Sequence, residues 1–415
     1  MSMKNFYLIT LLFLSAMSQA QIVDIPDTNF KNKLISLGVD SNNDGEIQET
    51  EALGVISLNL WFSNIASLEG IQSFNNLVSL QCGQNNLTSL DIVTQNLNLH
   101  TLRCTDNQLT SLDVTQNPNL ENLDCSGNNL ISLDITQNPN LELLDCSGNN
   151  LISLDITQNP NLHTLRCNEN KLTSLDLTQN PNLERLECNE NQLTSLDLSQ
   201  NTNLQGVGCA NNQMTSLDLS QNNNLTSFNC SRNEIEILTL PNETSLLRGI
   251  YVEYNQIKTL DISQYTSIIT IFANNNELID LNIKNGNNTN FNFVYAYNNP
   301  NLTCIEVDDV NFANSQSCGA DFWCKDATAS YSENCSLATQ DFNQISFTLY
   351  PNPTQNILNI DSQEPIDSAQ IYSINGSFIK ETPSTSIGIS ELPAGLYFAQ
   401  INIGGNSLTK KFVKY

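Results

Sequence analysis

The stretch from Leu120 to Asn203 reads LENLDCSGNNLISLDITQNPN, LELLDCSGNNLISLDITQNPN, LHTLRCNENKLTSLDLTQNPN and LERLECNENQLTSLDLSQNTN, four copies of one 21-residue unit. Each copy contains L-x-x-L-x-C-x-x-N-x-L. The last three positions of L-x-x-L-x-C alternate in, out and in, as side chains do along a short β-strand. One unit is too small to bury its own leucines, so the copies have to stack as coils and pair their strands in parallel. The sequence therefore predicts a solenoid.

This unit resembles the leucine-rich repeat in its cysteine-bearing form, and the resemblance extends over residues 55–310, about twelve coils. In this family the inward asparagine turns the chain, and the resemblance implies that its side chain hydrogen-bonds backbone groups of neighbouring coils. The second half of each unit has no long 3.6-residue period, so we expect an extended or short-helical convex side and a β-rich fold with a parallel sheet. The register asparagines are Asn64, Asn85, Asn107, Asn128, Asn149, Asn170, Asn191, Asn212, Asn233, Asn255, Asn276 and Asn299.

Eight of the twelve cysteines share one position of the repeat, which points into the core: Cys82, Cys104, Cys125, Cys146, Cys167, Cys188, Cys209 and Cys230. Disulfides between adjacent strands would need distorted geometry. A metal site would lack tetrahedral geometry and a nearby histidine. The spacing therefore favours reduced, buried thiols that pack as small apolar side chains.

The other four cysteines follow the last coil. The segments NPNLTCIEVDDV (299–310) and ASYSENC (329–335) resemble the closing segment of many bacterial leucine-rich-repeat domains. The resemblance implies a disulfide between Cys304 and Cys335, with Cys318 and Cys324 left for a smaller inner bridge. Residues 311–335 would then form a disulfide-bonded cap over the last coil, whose apolar end and strand edge need cover.

A helical cap is predicted before the first coil, within residues 21–54. Phe30, Leu34 and Leu37 have the i, i+4, i+7 spacing of one apolar helix face, and Gly38 follows as a stop.

The loop Asp40–Glu51 matches the twelve-residue EF-hand calcium loop at each diagnostic position. Gly45 provides the sharp turn and Ile47 the core anchor. The alternative is a metal-free acidic turn, but its crowded carboxylates would repel one another without a cation. We therefore expect structural Ca²⁺. Its ligands would be the side chains of Asp40, Asn42, Asp44 and Glu51 and the backbone carbonyl of Glu46.

Charge and the N-terminus indicate an exported protein that does not bind nucleic acid. The net charge is −27, from 16 Lys and Arg against 43 Asp and Glu, and such a surface repels phosphate. Lys4, an apolar run from Tyr7 to Ala16, and the small residues Ser18 and Ala20 predict a signal peptide over residues 1–20. An uncleaved anchor is the alternative. We expect no transmembrane segment in the mature chain, because no later apolar stretch is long enough.

Beyond a polar linker at residues 336–346, alternating apolar residues in 347–415 predict a small antiparallel β-sandwich. This segment is similar to the type A C-terminal sorting domain of the type IX secretion system. The similarity rests on Tyr350–Pro353, Asn375-Gly376, Leu392–Tyr397 and Lys410–Lys414. It implies the type IX machinery as a partner and a place outside, or on the outer-membrane surface of, a Gram-negative bacterium. A sandwich that merely packs on the solenoid is the alternative.

The sequence predicts binding and not catalysis. It contains two histidines, His100 and His163, neither at metal-ligand spacing, and no hydrolase, zincin or P-loop motif. A recurring aspartate (113, 134, 155, 176, 197 and 218) is interpreted as a solvated face.

We expect an exported or surface-attached adhesion protein that recognises an extracellular protein or glycan on its concave strand face. The alternative is a structural cell-surface component without a specific ligand. With few aromatics expected on this face, a sugar-stacking groove or a strong interaction hot spot is disfavoured. The predicted contact residues are Arg103, Asp124, Asp145, Arg166, Glu187 and Asn229.

Overall fold

The computed structural model describes residues 21–90, 96–242, 246–319, 323–335, 347–362, 364–374, 376–403 and 406–415. The predicted signal peptide and linker, and Asn375 of the predicted hairpin turn, lie outside the described residues. The chain divides into two compact units, Met1–Cys335 and Ser336–Tyr415. None of the helices in the described part of the chain combines the length and the apolar character of a membrane span.

The first unit is a parallel β-solenoid in which each coil contributes one strand to a single sheet, called the large sheet below. Equivalent leucines lie side by side in it, as Leu123, Leu144 and Leu165 do, and all three are buried. The predicted solenoid and its register are therefore confirmed. In spatial order the strands are β1 Ser57–Asn59, β2 Ser79–Gln81, β3 Thr101–Arg103, β4 Asn122–Asp124, β5 Leu143–Asp145, β6 Thr164–Arg166, β7 Arg185–Glu187, β8 Gly206–Gly208, β10 Ser227–Asn229, β12 Gly249–Tyr251, β14 Thr270–Phe272, β16 Phe293–Ala296 and β18 Trp323–Lys325.

The opposite side of the coils is extended. This is one of the two forms predicted for it, the other being short helices. Turns dominate it in the early coils, and short parallel strands form two further sheets in the later ones. These strands are β9 Ser216–Asp218 with β11 Ile237–Thr239, and then β13 Thr259–Asp261, β15 Asp280–Asn282, β17 Cys304–Glu306 and β19 Ser330–Ser332. Two 3₁₀ turns lie at Ile71–Ser73 and Asn288–Asn290.

The eight repeat cysteines are free and buried inside the coils, which confirms the expected thiols. Burial raises the pKa of the Cys82 and Cys188 thiols to about 12, because a thiolate would lose its hydration there.

An asparagine ladder crosses the solenoid beside the cysteines. In a representative coil the Asn149 amide donates to the carbonyls of Cys125 and Cys146, both at 3.0 Å, and its Oδ1 accepts from the Leu130 N–H at 2.9 Å. The same contacts recur from Asn85 onwards. Asn64 differs from the prediction: it is exposed, with φ of 53°, so the buried ladder begins one coil later.

A second asparagine ladder, which the sequence analysis did not anticipate, crosses the turn after the second half of each unit. Asn159 Nδ2 donates to the carbonyls of Ile135 at 3.0 Å and Asn138 at 2.9 Å. Its Oδ1 is buried and has no partner among the described residues. Equivalent buried residues are Asn96, Asn117, Asn138, Asn180, Asn201 and Asn222.

The N-terminal cap contains helix α1, Thr28–Ser36, and the single turn α2, Glu49–Ala52. Phe30 and Leu34 are buried as predicted, but Leu37 is 44% exposed because it lies at the C-cap, where the helix ends. Asp27 holds the cap in place. One of its oxygens accepts from the Phe30 N–H at 3.0 Å, and the other accepts from the N–H groups of residues 66 and 67 in the first coil.

The C-terminal cap continues the parallel sheets. Residues 311–335 contribute β18 to the large sheet and β19 to the opposite side, and helix α3 spans Val310–Ser315. Both expected disulfides are present, Cys304–Cys335 with Cα atoms 5.8 Å apart and Cys318–Cys324 with Cα atoms 4.5 Å apart.

The second unit is an antiparallel sandwich with its own core, as the alternating sequence predicts. Phe347, Leu358, Ile371, Ile401 and Phe412 are buried in that core. One sheet has the order β20 Phe347–Tyr350, β21 Ile357–Ser362 and β24 Ser386–Gly388. The other has the order β23 Phe378–Thr382, β22 Ser368–Ser373, β25 Gly395–Ile403 and β26 Asn406–Lys414.

Candidate functional site

The outward face of the large sheet is the candidate binding surface. In the strands of the large sheet from β1 to β14 the middle side chain is buried and the two outer ones face away from the core. The strand register aligns the third positions of neighbouring strands directly. The structure therefore places all six predicted contact residues in one column, Arg103, Asp124, Asp145, Arg166, Glu187 and, beyond Gly208, Asn229.

The charged half of this face comprises strands β3 to β7, and ion pairs connect three of them, β5, β6 and β7. Arg166 lies between Asp145 and Glu187, with nitrogen to oxygen distances of 3.7 Å to each. Arg185 Nη1 lies 3.4 Å from Glu187 Oε1. Arg103 is exposed and forms no salt bridge with any residue that the structure describes. The Arg185–Glu187 pair is the more exposed one, with Arg185 59% exposed, and exposed pairs contribute only about 0–1 kcal/mol, so a ligand can replace either partner of this pair at small cost.

Asp145 is a largely buried carboxylate of the column, more so than Glu187. Its side chain is 17% exposed and its Oδ1 accepts from the Ser147 N–H at 3.1 Å. Burial raises the pKa of Asp145, and the adjacent Asp124 acts in the same direction, whereas hydrogen bonds from Ser147 and the charge of Arg166 lower it. The charged half therefore carries a carboxylate that is poorly solvated in the free protein.

A gap follows the charged half, because strand β8 contributes no side chain to this face; the side chain of Asn189 covers only its Gly208 end. Strand β8 has glycine at both outward positions, Gly206 and Gly208. Together with Arg185 and Glu187 on one side and the small residues of β10 on the other, they line a cavity of about 250 Å³. This cavity was not predicted from the sequence, although the sequence shows a Gly-x-Gly at the strand position of one coil.

An aromatic cluster lies beyond the gap, contrary to the prediction of an aromatic-poor face. Phe272 and Tyr295 stack with ring centroids 4.7 Å apart, and Tyr251 packs edge-on against Phe272 at 5.2 Å. Phe293 and Tyr297 complete the cluster. All five rings are partly exposed. The prediction was wrong because it examined the coils up to Asn229. The same strand position, continued with the later spacings of 22, 21 and 23 residues, is Tyr251, Phe272 and Tyr295.

The predicted calcium ligands lie on one loop whose polar side chains turn towards its own backbone. Asp40 is buried, and its two oxygens accept from the N–H groups of Asp44 at 3.1 Å and Gly45 at 2.9 Å. Asn42 Oδ1 accepts from the Asp44 N–H at 2.8 Å. Glu51 Oε1 accepts from the N–H of residue 41 at 2.8 Å. Among the described residues no three acidic, cysteine or histidine side chains converge as in an assembled metal centre.

The loop is nevertheless chemically suited to a hard cation. Its donors are all oxygens, Gly45 has φ of 83°, and Ile47 is fully buried. The Glu46 carboxylate forms a salt bridge with Lys31 at 2.6 Å. This contact fits the prediction that Glu46 would offer calcium only its backbone carbonyl. The N-terminal segment pairs with the loop, since Val23 N–H donates to the Ile47 carbonyl at 2.8 Å.

The aspartates of the opposite side are exposed and satisfied within their own coils. Asp155 Oδ1 accepts from both the N–H and the hydroxyl of Thr157, at 3.0 and 2.7 Å. These hydrogen bonds lower the pKa of Asp155, as the equivalent bonds do for Asp134. The interpretation as a solvated face agrees with this arrangement.

Residues 348–415 match the family described as a secretion system C-terminal sorting domain. This match confirms the sorting-domain prediction made from Tyr350–Pro353 and the other motifs. The chain therefore carries a C-terminal secretion signal, which makes it a secreted or cell-surface protein. None of the curated proteins that were compared matches the chain.

Several solved structures resemble the chain. The functional domain of InlJ from Listeria monocytogenes, described as including a cysteine ladder, is 22% identical, with a TM-score of 0.48 over 95% of this chain and 98% of that chain. The internalin InlF from Listeria monocytogenes is 17% identical, with a TM-score of 0.49 over 63% and 93%. A leucine-rich-repeat protein of Leptospira interrogans is 21% identical, with a TM-score of 0.39 over 66% and 93%.

Proposed function

We propose that this protein is an exported, non-catalytic binding protein that recognises an extracellular protein or glycan with the outward face of its large sheet. The observation that carries the proposal is the continuous column of outward side chains, in which Arg103, Asp124 and Asp145 lie on adjacent strands. These groups are held by a stacked scaffold, so little conformational entropy is lost when they bind a partner. The secretion signal supports a ligand outside the cell.

A capture experiment with matched variants tests this proposal. The full chain is immobilised and exposed to extracellular material, beside an Arg166→Glu variant and a control, Asp155→Lys, which changes charge on the opposite side. A ligand that binds the native chain and the control but not Arg166→Glu supports the proposal. Binding that is lost only in the control, or self-association as the one interaction, would favour a structural cell-surface component instead.

Export through the type IX machinery is proposed from the sorting domain. That machinery would recognise the second unit and deliver the solenoid to the outside, or to the outer-membrane surface, of a Gram-negative cell. Removing residues 347–415 in the producing bacterium should leave the solenoid inside the envelope. Immunodetection in cell fractions and medium measures this, and unchanged export of the truncated chain would contradict it.

A structural calcium site is proposed for the loop Asp40–Glu51. When bound, Ca²⁺ would neutralise the loop carboxylates and stiffen the cap against the first coil. Extracellular sites of this class have dissociation constants of about 10⁻⁴–10⁻³ M. Calorimetric titration should show binding in this range and a higher melting temperature, both reduced in Glu51→Gln and retained in the control Glu69→Gln. Absence of heat and of any thermal shift would rule the site out.

A further inference from the structure

The outward face of the large sheet has two chemically different halves. Strands β3 to β7 carry six charged outward side chains, whereas the strand positions of β8, β10, β12, β14 and β16 carry none. In a chain with a net charge of −27, these strands thus present ten consecutive outward positions without a charge, which form one uncharged strip. These positions are Gly206, Gly208, Ser227, Asn229, Gly249, Tyr251, Thr270, Phe272, Phe293 and Tyr295.

The backbone of this uncharged strip is open at Gly206. A Cβ atom added there would meet no heavy atom of the described residues within 4 Å, whereas a Cβ atom added to Gly208 would lie 2.8 Å from Nδ2 of Asn189, whose side chain covers that residue. A flat ligand can therefore approach the peptide plane closely at Gly206, between the Arg185–Glu187 pair and strand β10.

Tyr251 supplies a ring face beside this floor. A Cβ added to Gly249 would lie 3.0 Å from Tyr251 Cε2 and 3.4 Å from its hydroxyl, so the ring lies across the glycine. The Tyr251 plane makes an angle of 82° with that of Phe272, which stacks with Tyr295 at 13°. Thus Phe272 and Tyr295 cover one another, while Tyr251 is turned across the sheet and offers a face.

Hydrogen-bonding groups on the strip are left without partners. The hydroxyls of Ser227, Tyr251 and Tyr295 bond to no residue in the described part of the chain. Asn229 uses its Oδ1 to accept from the Ser231 N–H at 3.0 Å, which leaves its Nδ2 for another acceptor. Ser227 and Asn229 lie between the glycine strand and β12, because they pair with Gly206 and Gly208 on one side and with Gly249 and Tyr251 on the other.

We propose that the strip from Gly206 to Tyr251 binds an uncharged oligosaccharide. A sugar ring combines apolar C–H faces, which pack on an aromatic face, with hydroxyls, which bond to the free hydroxyl and amide groups. The strip presents both features, and Arg185 and Glu187 at its border pair with each other at 3.4 Å. This inference rests on the proposed function and names the ligand class for one half of the same face.

The test is calorimetric titration of the full chain with uncharged hexasaccharides of glucose, mannose, xylose and N-acetylglucosamine. At least one should bind with a dissociation constant of about 1 mM or lower. Tyr251→Ala should weaken that binding about tenfold by removing the ring face. Gly206→Val should weaken it as much by filling the cavity, and its melting temperature should stay unchanged because valine fits both the open space and the strand.

Two controls test the position of the site. Ser79→Val places the same side chain at the equivalent outward position of β2, and Asp155→Lys alters a charge on the opposite side of the coils; both should bind the sugar within twofold of the native chain. Binding that survives Tyr251→Ala and Gly206→Val would overturn the assignment of the site. If no hexasaccharide binds, but a protein partner is lost in Arg166→Glu, the sugar assignment fails and the proposed function stands.

Discussion

The buried asparagines hold adjacent coils together through groups that no apolar residue can replace. Asn170 Nδ2 donates to the carbonyls of Cys146 and residue 168, both at 3.0 Å, and its Oδ1 accepts from the Leu151 N–H at 2.9 Å. Asn170→Ala would leave these backbone groups buried without partners. Each unsatisfied group costs about 1–3 kcal/mol, so we expect chemical denaturation to show a loss of that order.

The control for this substitution is Asn182→Ala. Asn182 also donates to a backbone carbonyl, that of Pro160 at 3.1 Å, but on the exposed surface, where water can replace it. Its effect should stay within about 0.5 kcal/mol. Equal losses in the two variants would show that burial of the ladder is not what stabilises the coils.

Asp145 and Asp134 should affect the pH dependence of stability with opposite signs. Burial raises the folded-state pKa of Asp145 above its ordinary value of 3.8, so its ionisation disfavours folding as the pH rises from 3.8 through the raised pKa. Hydrogen bonds from Thr136 lower the pKa of Asp134, so its ionised form favours folding, an effect lost as the pH falls through the lowered pKa.

Thermal denaturation at pH 7 and pH 3 checks these signs. At pH 7 Asp145→Asn should melt above the native chain and Asp134→Asn below it. The difference in melting temperature between Asp145→Asn and the native chain should shrink at pH 3, which lies below the unfolded-state pKa of 3.8. The Asp145 carboxyl is then protonated in the folded and the unfolded state alike. A lower melting temperature of Asp145→Asn at pH 7 would mean that its pairing with Arg166, 3.7 Å away, outweighs the burial.

At the scale of elements, the C-terminal cap depends on its outer disulfide. Cys304 ends up beside Cys335 across a sequence separation of 31 residues, and closing a loop of this length stabilises by about 3–4 kcal/mol. Replacing both residues by serine should lower the free energy of unfolding by that amount. The inner pair, Cys318 and Cys324, spans 6 residues and should contribute about 2 kcal/mol. A larger loss in the free energy of unfolding on replacing the inner pair than on replacing the outer pair would contradict this prediction.

The elements that repetition specifies were predictable from sequence, and those that depart from the repeat were not. The cysteine position and the first asparagine ladder recur in each central coil, so their inward direction follows from one strand pattern. The second ladder was missed because Asn159 and its equivalents stand in a turn, four of the seven directly before Pro, where asparagine is common at the surface. The aromatic cluster was missed because the late coils replace polar outward residues by rings, and the consensus stops describing them.

Contacts between nearest neighbours explain why the site could be assembled only from the structure. The charged half was predictable as a column, since each member follows the previous one by 21 residues. The glycines of β8 can be recognised as part of a binding site only together with Ser227 and Tyr251, which the register places on the next two strands. The position of the Tyr251 ring across Gly249 depends on side-chain packing, which the spacing of residues along the sequence does not encode. The ligand-binding chemistry therefore arises between coils rather than within one.

At the scale of the whole solenoid, one complete coil should be removable. Deleting residues 141–161 joins Asn140 to Leu162, the same kind of junction that every copy has, and it brings Asp124 opposite Arg166 in the place of Asp145. Each coil contacts only its neighbours, so the remaining coils keep their interfaces. We expect a shorter, cooperatively folded protein with unchanged far-ultraviolet circular dichroism per residue and a slightly lower melting temperature. Deleting only residues 141–151 should instead abolish cooperative melting, because that cut places the outward positions of one coil against the inward positions of the next. If both deletions behave alike, stacking of equivalent positions is not what specifies the fold.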